Sequence, residues 1–149
     1  MTRLLGLDFG LRRVGAALSD PRRLIATPLE VYLRVSADRD AAHYRALVAD
    51  HEVGALVVGL PLHTGGGEGE SARLARAWGG RLATCLGLDV SYYDERYTTV
   101  EAEESLRDRK LNAAQRKARR DMLAAQILLQ GYLDAGCPVV EAPARGLDE

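Results

Sequence analysis

Leu4-Leu5-Gly6-Leu7-Asp8-Phe9-Gly10, followed by Val14-Gly15-Ala16-Ala17-Leu18-Ser19, decides how this chain is read. The first run is apolar and short enough for a central strand, Gly10 permits a tight exit, and a second apolar run begins after Arg12 and Arg13. The pattern predicts a hairpin with an acid at its rim and two cations beside it. Asp at such a place can simply close the turn by bonding its own backbone, so Asp8 acquires a chemical role only if other acids join it.

Working outward, a third strand is expected over residues 24–32, where Pro28 favours a sheet edge or a break. Residues 36–52 read as a helix, with Ala41, Tyr44, Leu47 and Val48 near one face and Gly54 as its stop signal. Ala55-Leu56-Val57-Val58-Gly59 is apolar throughout, as in a strand covered on both faces, and is expected to run parallel to an earlier strand. A helix over 71–86, a short strand over 90–93, helices over 99–106 and 114–135 and a further short strand at 139–140 complete the order. The fold class is α/β: a mixed five-stranded sheet, its first three strands antiparallel, flanked by helices. At 149 residues the chain suits one domain, taken as 1–140, with a polar tail over 141–149 that composition marks as flexible.

Composition narrows the function. The net charge of −1 argues against a uniformly basic nucleic-acid binder, though not against a local basic surface. Cys85 and Cys137 form no CxxC pair and have no His at ligand spacing, which suits a reducing cytoplasm. No signal peptide and no membrane span are expected. His43, His51 and His63 stand apart and read as surface or packing residues. The loop Thr64-Gly65-Gly66-Gly67-Glu68-Gly69-Glu70 lacks the lysine of a phosphate-binding loop and reads instead as a flexible flap.

Two more places carry acid. Asp94-Glu95 follows the strand over 90–93 and precedes the cap offered by Thr98 or Thr99. Alternation along a strand allows only one of Asp94 and Glu95 to share a face with Asp8, and Glu95 is favoured. Asp121 shares a helix row with Ala125, Leu128 and Tyr132, the row expected to face the sheet, where it either pairs with Lys117 one turn earlier or joins the other carboxylates. Clustered carboxylates repel unless a cation sits among them, and hard divalent ions prefer oxygen ligands, so Mg²⁺ or Mn²⁺ follows from the cluster. Around Asp121, Arg107, Arg109, Lys110, Arg116, Lys117, Arg119 and Arg120 stand against the single acid Asp108. Such a run is either a solvated helix face or a grip on phosphates; together with Arg12, Arg13 and Arg96 it forms the candidate nucleic-acid contact. A polyanion beside paired metals suggests phosphodiester hydrolysis, in which two ions about 4 Å apart activate a water and stabilise the leaving oxygen.

Four blocks in order, Gly6-Leu7-Asp8-Phe9-Gly10 with Arg13-Val14-Gly15-Ala16-Ala17-Leu18-Ser19-Asp20, Val57-Val58-Gly59-Leu60-Pro61-Leu62, Asp94-Glu95-Arg96-Tyr97-Thr98-Thr99-Val100-Glu101-Ala102 and Asp121-Met122-Leu123-Ala124-Ala125-Gln126-Ile127-Leu128-Leu129, resemble the YqgF family of RNase H-like nucleases, also called RuvX or Holliday-junction resolvases. The resemblance implies an RNase H-like fold, an acidic triad of Asp8, Glu95 and Asp121, dependence on Mg²⁺ or Mn²⁺, and a homodimer. It associates the chain with two substrates, four-way DNA junctions and the 5′ end of precursor 16S ribosomal RNA. A nucleic-acid-binding module that keeps the turn without turnover is the alternative.

Overall fold

The computed structural model describes residues 2–61, 69–94 and 111–138. The expected helix over 99–106, the strand at 139–140 and the tail over 141–149 lie outside them. Five strands, β1 (Arg3–Phe9), β2 (Arg13–Ser19), β3 (Ala26–Leu33), β4 (Val53–Leu60) and β5 (Asp89–Asp94), form one sheet in the order β3-β2-β1-β4-β5. β2 runs antiparallel to both β1 and β3, while β4 is parallel to β1 and β5. The mixed sheet and the antiparallel meander are as the sequence predicts. Pro28 lies on the edge strand β3, where the ladder slips between Ala16 and Ala17, so its missing N–H interrupts little pairing.

Alternation sends the strand side chains into two cores. Leu5, Leu7, Val14, Ala16, Leu56 and Val58 meet Tyr44 and Leu47 of α1 (Ala37–His51) and Trp78 and Leu82 of α2 (Glu70–Leu86). On the opposite face Leu4, Ala17 and Val57 meet Ala125, Leu129, Tyr132 and Leu133 of α3 (Ala113–Asp134). β4, an interior strand paired on both sides with β1 and β5, contributes to both cores, which explains its unbroken apolar run. No described helix is long and apolar enough to cross a membrane.

Two helix ends differ from the sequence reading. α1 stops at Glu52, which adopts a left-handed conformation at φ 54° and returns its N–H to the Val48 carbonyl. Gly54, expected as the stop, instead lies within β4, where its missing Cβ leaves room for the Thr2 side chain. α2 starts at Glu70 rather than 71, with Gly69 as its N-cap; Glu70 suits the positive helix end and pairs with Arg73 at 2.6 Å. Glu70 is thus helical rather than part of a flap, and the rest of the glycine loop over 62–68 lies outside the described residues.

Asp40, in the first turn of α1, is a structural acid. Its carboxylate accepts from Tyr32 OH at 2.8 Å and Val35 N–H at 3.0 Å and lies 3.5 Å from Arg34 Nε. Burial alone would raise its pKa, but these partners outweigh burial and hold the carboxyl below its usual value. A depressed folded pKa means the stability it contributes is present above the unfolded value and is lost as pH falls through the folded one. Asp40→Ala should therefore destabilise by about 1.5–3 kcal/mol at neutral pH, and thermal melts should show the gap to wild type closing as the pH falls below the ordinary carboxylate range.

Candidate active site

Strand β1 delivers Asp8 to the rim of the sheet. Asp8 is paired with Gly15 in the β1–β2 ladder, so it is a strand residue rather than the turn-former its neighbourhood also allowed. Phe9, pointing the other way, packs on Trp78 at 4.9 Å and anchors the strand end. The turn closes tightly because a Cβ at Gly10 would lie 2.6 Å from the Arg13 carbonyl oxygen. Arg34, at the end of β3, fixes the same turn by donating its backbone N–H to the Arg12 carbonyl at 2.8 Å and a guanidinium N–H to the Leu11 carbonyl at 3.1 Å. Nothing local in the sequence announces that role, which depends on β3 returning beside the turn.

The second acid arrives on α3, and two glycines let it come close. A Cβ at Gly15 would fall on the carbonyl oxygen of Asp121, and one at Gly6 would stand 2.8 Å from Leu129 Cβ. With only hydrogens there, the helix backbone rests on the sheet. Glycine inside a strand marks such a close backbone approach, and Gly6 and Gly15 carry that signal within their apolar runs. α3 starts at a capping box in which Asn112 accepts from the Gln115 N–H at 2.8 Å and Gln115 accepts from the Asn112 N–H at 3.0 Å. Asp121 then sits on the row of Ala125, Leu128 and Tyr132, all buried, as expected.

Asp8 and Asp121 open into one cleft of about 390 Å³, lined also by Phe9, Gly10, Leu11, Arg12, Arg13 and Lys117. The ion partner of Asp121 is Arg13, with Nε 3.3 Å from Oδ2, and not Lys117, the alternative partner that the helix offers one turn earlier. Burial pushes the Asp121 carboxyl above its usual value; Arg13 pulls it back, Asp8 pushes further, and Lys117 and Arg120 oppose. The contrast with Asp40 is informative. Asp40, satisfied by its structural partners, is held down, whereas Asp121, beside a second acid in a cleft, is held up, the pattern that marks it as a candidate functional group.

The other predicted residues divide. Glu95, Arg96, Arg107, Arg109 and Lys110 lie outside the described residues. On β5, Tyr92 enters the α1–α2 core and Tyr93 packs against the α3 core, at 5.7 Å from the Tyr132 ring. Alternation therefore gives Asp94 the Tyr92 face, opposite to Asp8. Arg116, Lys117 and Arg120 are exposed along α3 and Arg119 is half-buried; Arg12 is exposed in the turn, while Arg13 is turned towards Asp121. Of the histidines, His43 stacks on Tyr32 at 4.0 Å and bonds Glu30 at 2.6 Å, a packing role.

Among the described residues no group of three metal-ligating side chains converges. Asp8 and Asp121 nevertheless suit a hard cation: both offer oxygen donors to one cleft, they repel each other, and one of them already draws in a guanidinium.

A family profile described as RuvX, Holliday junction resolvase, matches residues 2–135. The chain is 45% identical over 132 residues to a protein of Anaeromyxobacter sp. (strain Fw109-5) named "Putative pre-16S rRNA nuclease", covering 89% of this chain and 96% of that one. It is 41% identical over 144 residues to a protein of the same name from Lacticaseibacillus casei (strain BL23), covering 93% and 99%. In fold it is similar to T. thermophilus RuvC in complex with Holliday junction substrate, with a TM-score of 0.56 at 16% identity over 91% of this chain and 97% of that one. Fowlpox virus resolvase bound to Holliday junction DNA gives a TM-score of 0.51 at 9% identity, over 92% and 100%.

Proposed function

Because the chain belongs to the RuvX family of RNase H-like nucleases, we propose that it is a divalent-metal-dependent endonuclease that cuts phosphodiester bonds in structured nucleic acid. The observation that carries this reading is the convergence of Asp8 and Asp121 on one cleft whose other charged side chains, among the described residues, are the cations Arg12, Arg13 and Lys117. Asp8 and Asp121, with Glu95 as the third carboxylate, would hold Mg²⁺ or Mn²⁺. The alternation that takes Asp94 away from Asp8 supports the choice of Glu95. When bound, a pair of such ions supplies an activated water and charge stabilisation for the leaving oxygen. The chain's own part is to fix the carboxylates on rigid elements and to bind the polyanion through its phosphates.

Two substrates stand behind one chemistry. The names of the relatives at 41–45% identity support precursor 16S ribosomal RNA, and the family description supports the four-way DNA junction. Resolving a junction takes paired cuts, for which a homodimer with two clefts is the simplest arrangement. Side-by-side cleavage of a labelled junction and a labelled precursor RNA, with Mg²⁺ or Mn²⁺, separates them. Binding of both without cleavage of either would leave a nucleic-acid-binding module.

The exposed cations of α3 are proposed to grip phosphates. Replacing Arg116, Lys117 and Arg120 together with Ala should weaken binding for all sequences alike. Each lost phosphate contact should reduce the slope of log affinity against log salt by roughly 0.7–0.9. Melting temperature should hardly move, as is usual for surface substitutions. A salt titration of wild type and triple variant checks this, and an unchanged slope would assign these side chains to solvent.

A further inference from the structure

We propose that Arg13 is a built-in counter-cation of the cleft: its guanidinium neutralises Asp121 until a divalent ion arrives, and is then displaced to hold a phosphate of the substrate. The inference rests on the metal-dependent reading above. Arg13 opens β2, on the face that also carries Gly15 and meets α3, and its Nε lies 3.3 Å from Asp121 Oδ2. The turn before it is tied down through Arg12 and Leu11 by Arg34, so the backbone that carries Arg13 is fixed and the side chain supplies the movement.

The pair has the marks of an exchangeable contact rather than a structural clasp. It is made through Nε at 3.3 Å, not through the bidentate fork that locks arginine onto carboxylate. The Asp121 side chain is 30% exposed, against 5% for Asp40, whose carboxylate is occupied by a hydroxyl and a backbone N–H besides its arginine. Asp121 thus keeps lone pairs open to the cleft, where a metal would come. A dication on Asp121 and a guanidinium at the same oxygen repel, so each weakens the other's hold by the same factor. Once released, Arg13 remains at the cleft wall beside Arg12 and Lys117, the place an incoming phosphate must pass.

Calorimetric titration of MnCl₂ into protein free of nucleic acid tests this without activity. Arg13→Gln should bind Mn²⁺ about tenfold more tightly than wild type, whereas Arg13→Lys, which keeps the charge, should stay near wild type. In EDTA, Arg13→Gln should melt below wild type, and saturating Mn²⁺ should remove the deficit. With Ca²⁺ in place of the catalytic ion, the same variant should bind nucleic acid more weakly than wild type. Equal Mn²⁺ affinity in wild type and Arg13→Gln, or a melting deficit that persists with Mn²⁺, would make the pair an ordinary tertiary salt bridge and overturn the inference. Absence of Mn²⁺ binding in wild type and both variants would overturn the metal reading itself, and the inference with it. Should Arg13→Gln not fold, the Nε–H resonance of Arg13 in wild type, labelled with ¹⁵N-arginine, must move when Mg²⁺ saturates the site; a stationary resonance refutes displacement.

Discussion

Asp8→Asn should lose cleavage of its nucleic-acid substrate by at least about a hundredfold, since even outer-shell changes at metal sites cost 10–100-fold, while still binding that substrate. Asn preserves volume and one acceptor oxygen but removes the charge that a hard cation needs. Asp121→Asn and Glu95→Gln should do the same, and Asp94→Asn should remain active because β5 alternation sends Asp94 to the opposite face of the sheet. The two described acids should part company in their stabilities. Asp8 raises the pKa of Asp121, so neutralising Asp8 relieves repulsion and should slightly raise the melting temperature in EDTA. Asp121→Asn also removes the repulsion, but it breaks the ion pair with Arg13 and should show no such gain. Cleavage, binding and melting measured on the four variants check the set. Retained cleavage in all three triad variants would defeat the nuclease reading, and loss in Asp94→Asn with activity in Glu95→Gln would assign the metal to the other acid.

Much of this arrangement was legible along the chain because it depends on periods. The apolar runs of β1, β2 and β4 and the helical row from Asp121 to Tyr132 each follow from local repeat lengths, and they suffice to bring one acid from a strand end and one from a helix to the same face. What the sequence did not disclose is what crosses between elements. For Asp121 the chain offers Lys117, one turn away, as the alternative to a place among the other carboxylates, because a helix supplies that pairing locally. The structure gives it Arg13, more than 100 positions earlier in the chain, because α3 lies across β2 at Gly15. The stop of α1 was expected at a glycine, whereas Glu52 takes the left-handed turn itself and Gly54 serves packing against Thr2. In each case a local rule met a tertiary contact, and the contact prevailed.

Gly15 is where that contact is most exposed to test. On backbone preference alone, alanine in a strand is favoured over glycine by about 0.5–1 kcal/mol. Against this, the new Cβ would land on the Asp121 carbonyl oxygen and 2.8 Å from its carbonyl carbon, and a helix backbone has no rotamer by which to withdraw. Overpacking of this kind costs about 1–3 kcal/mol, so the clash outweighs the propensity and Gly15→Ala should melt several degrees below wild type. The loss of function should be larger than the loss of stability. To relieve the clash α3 must lift at Asp121 itself, and a misplacement of about 1 Å at a reacting centre can cost on the order of a hundredfold in rate. Gly6→Ala supplies the comparison: its Cβ would press on Leu129 Cβ at 2.8 Å, two helical turns from Asp121. It should cost comparable stability and far less cleavage. Melting curves and single-turnover cleavage of both variants at a temperature where each is fully folded decide the matter. Equal activity losses in the two would mean that the helix moves as a rigid whole, and wild-type behaviour in Gly15→Ala would mean that α3 does not rest on β2 at this point.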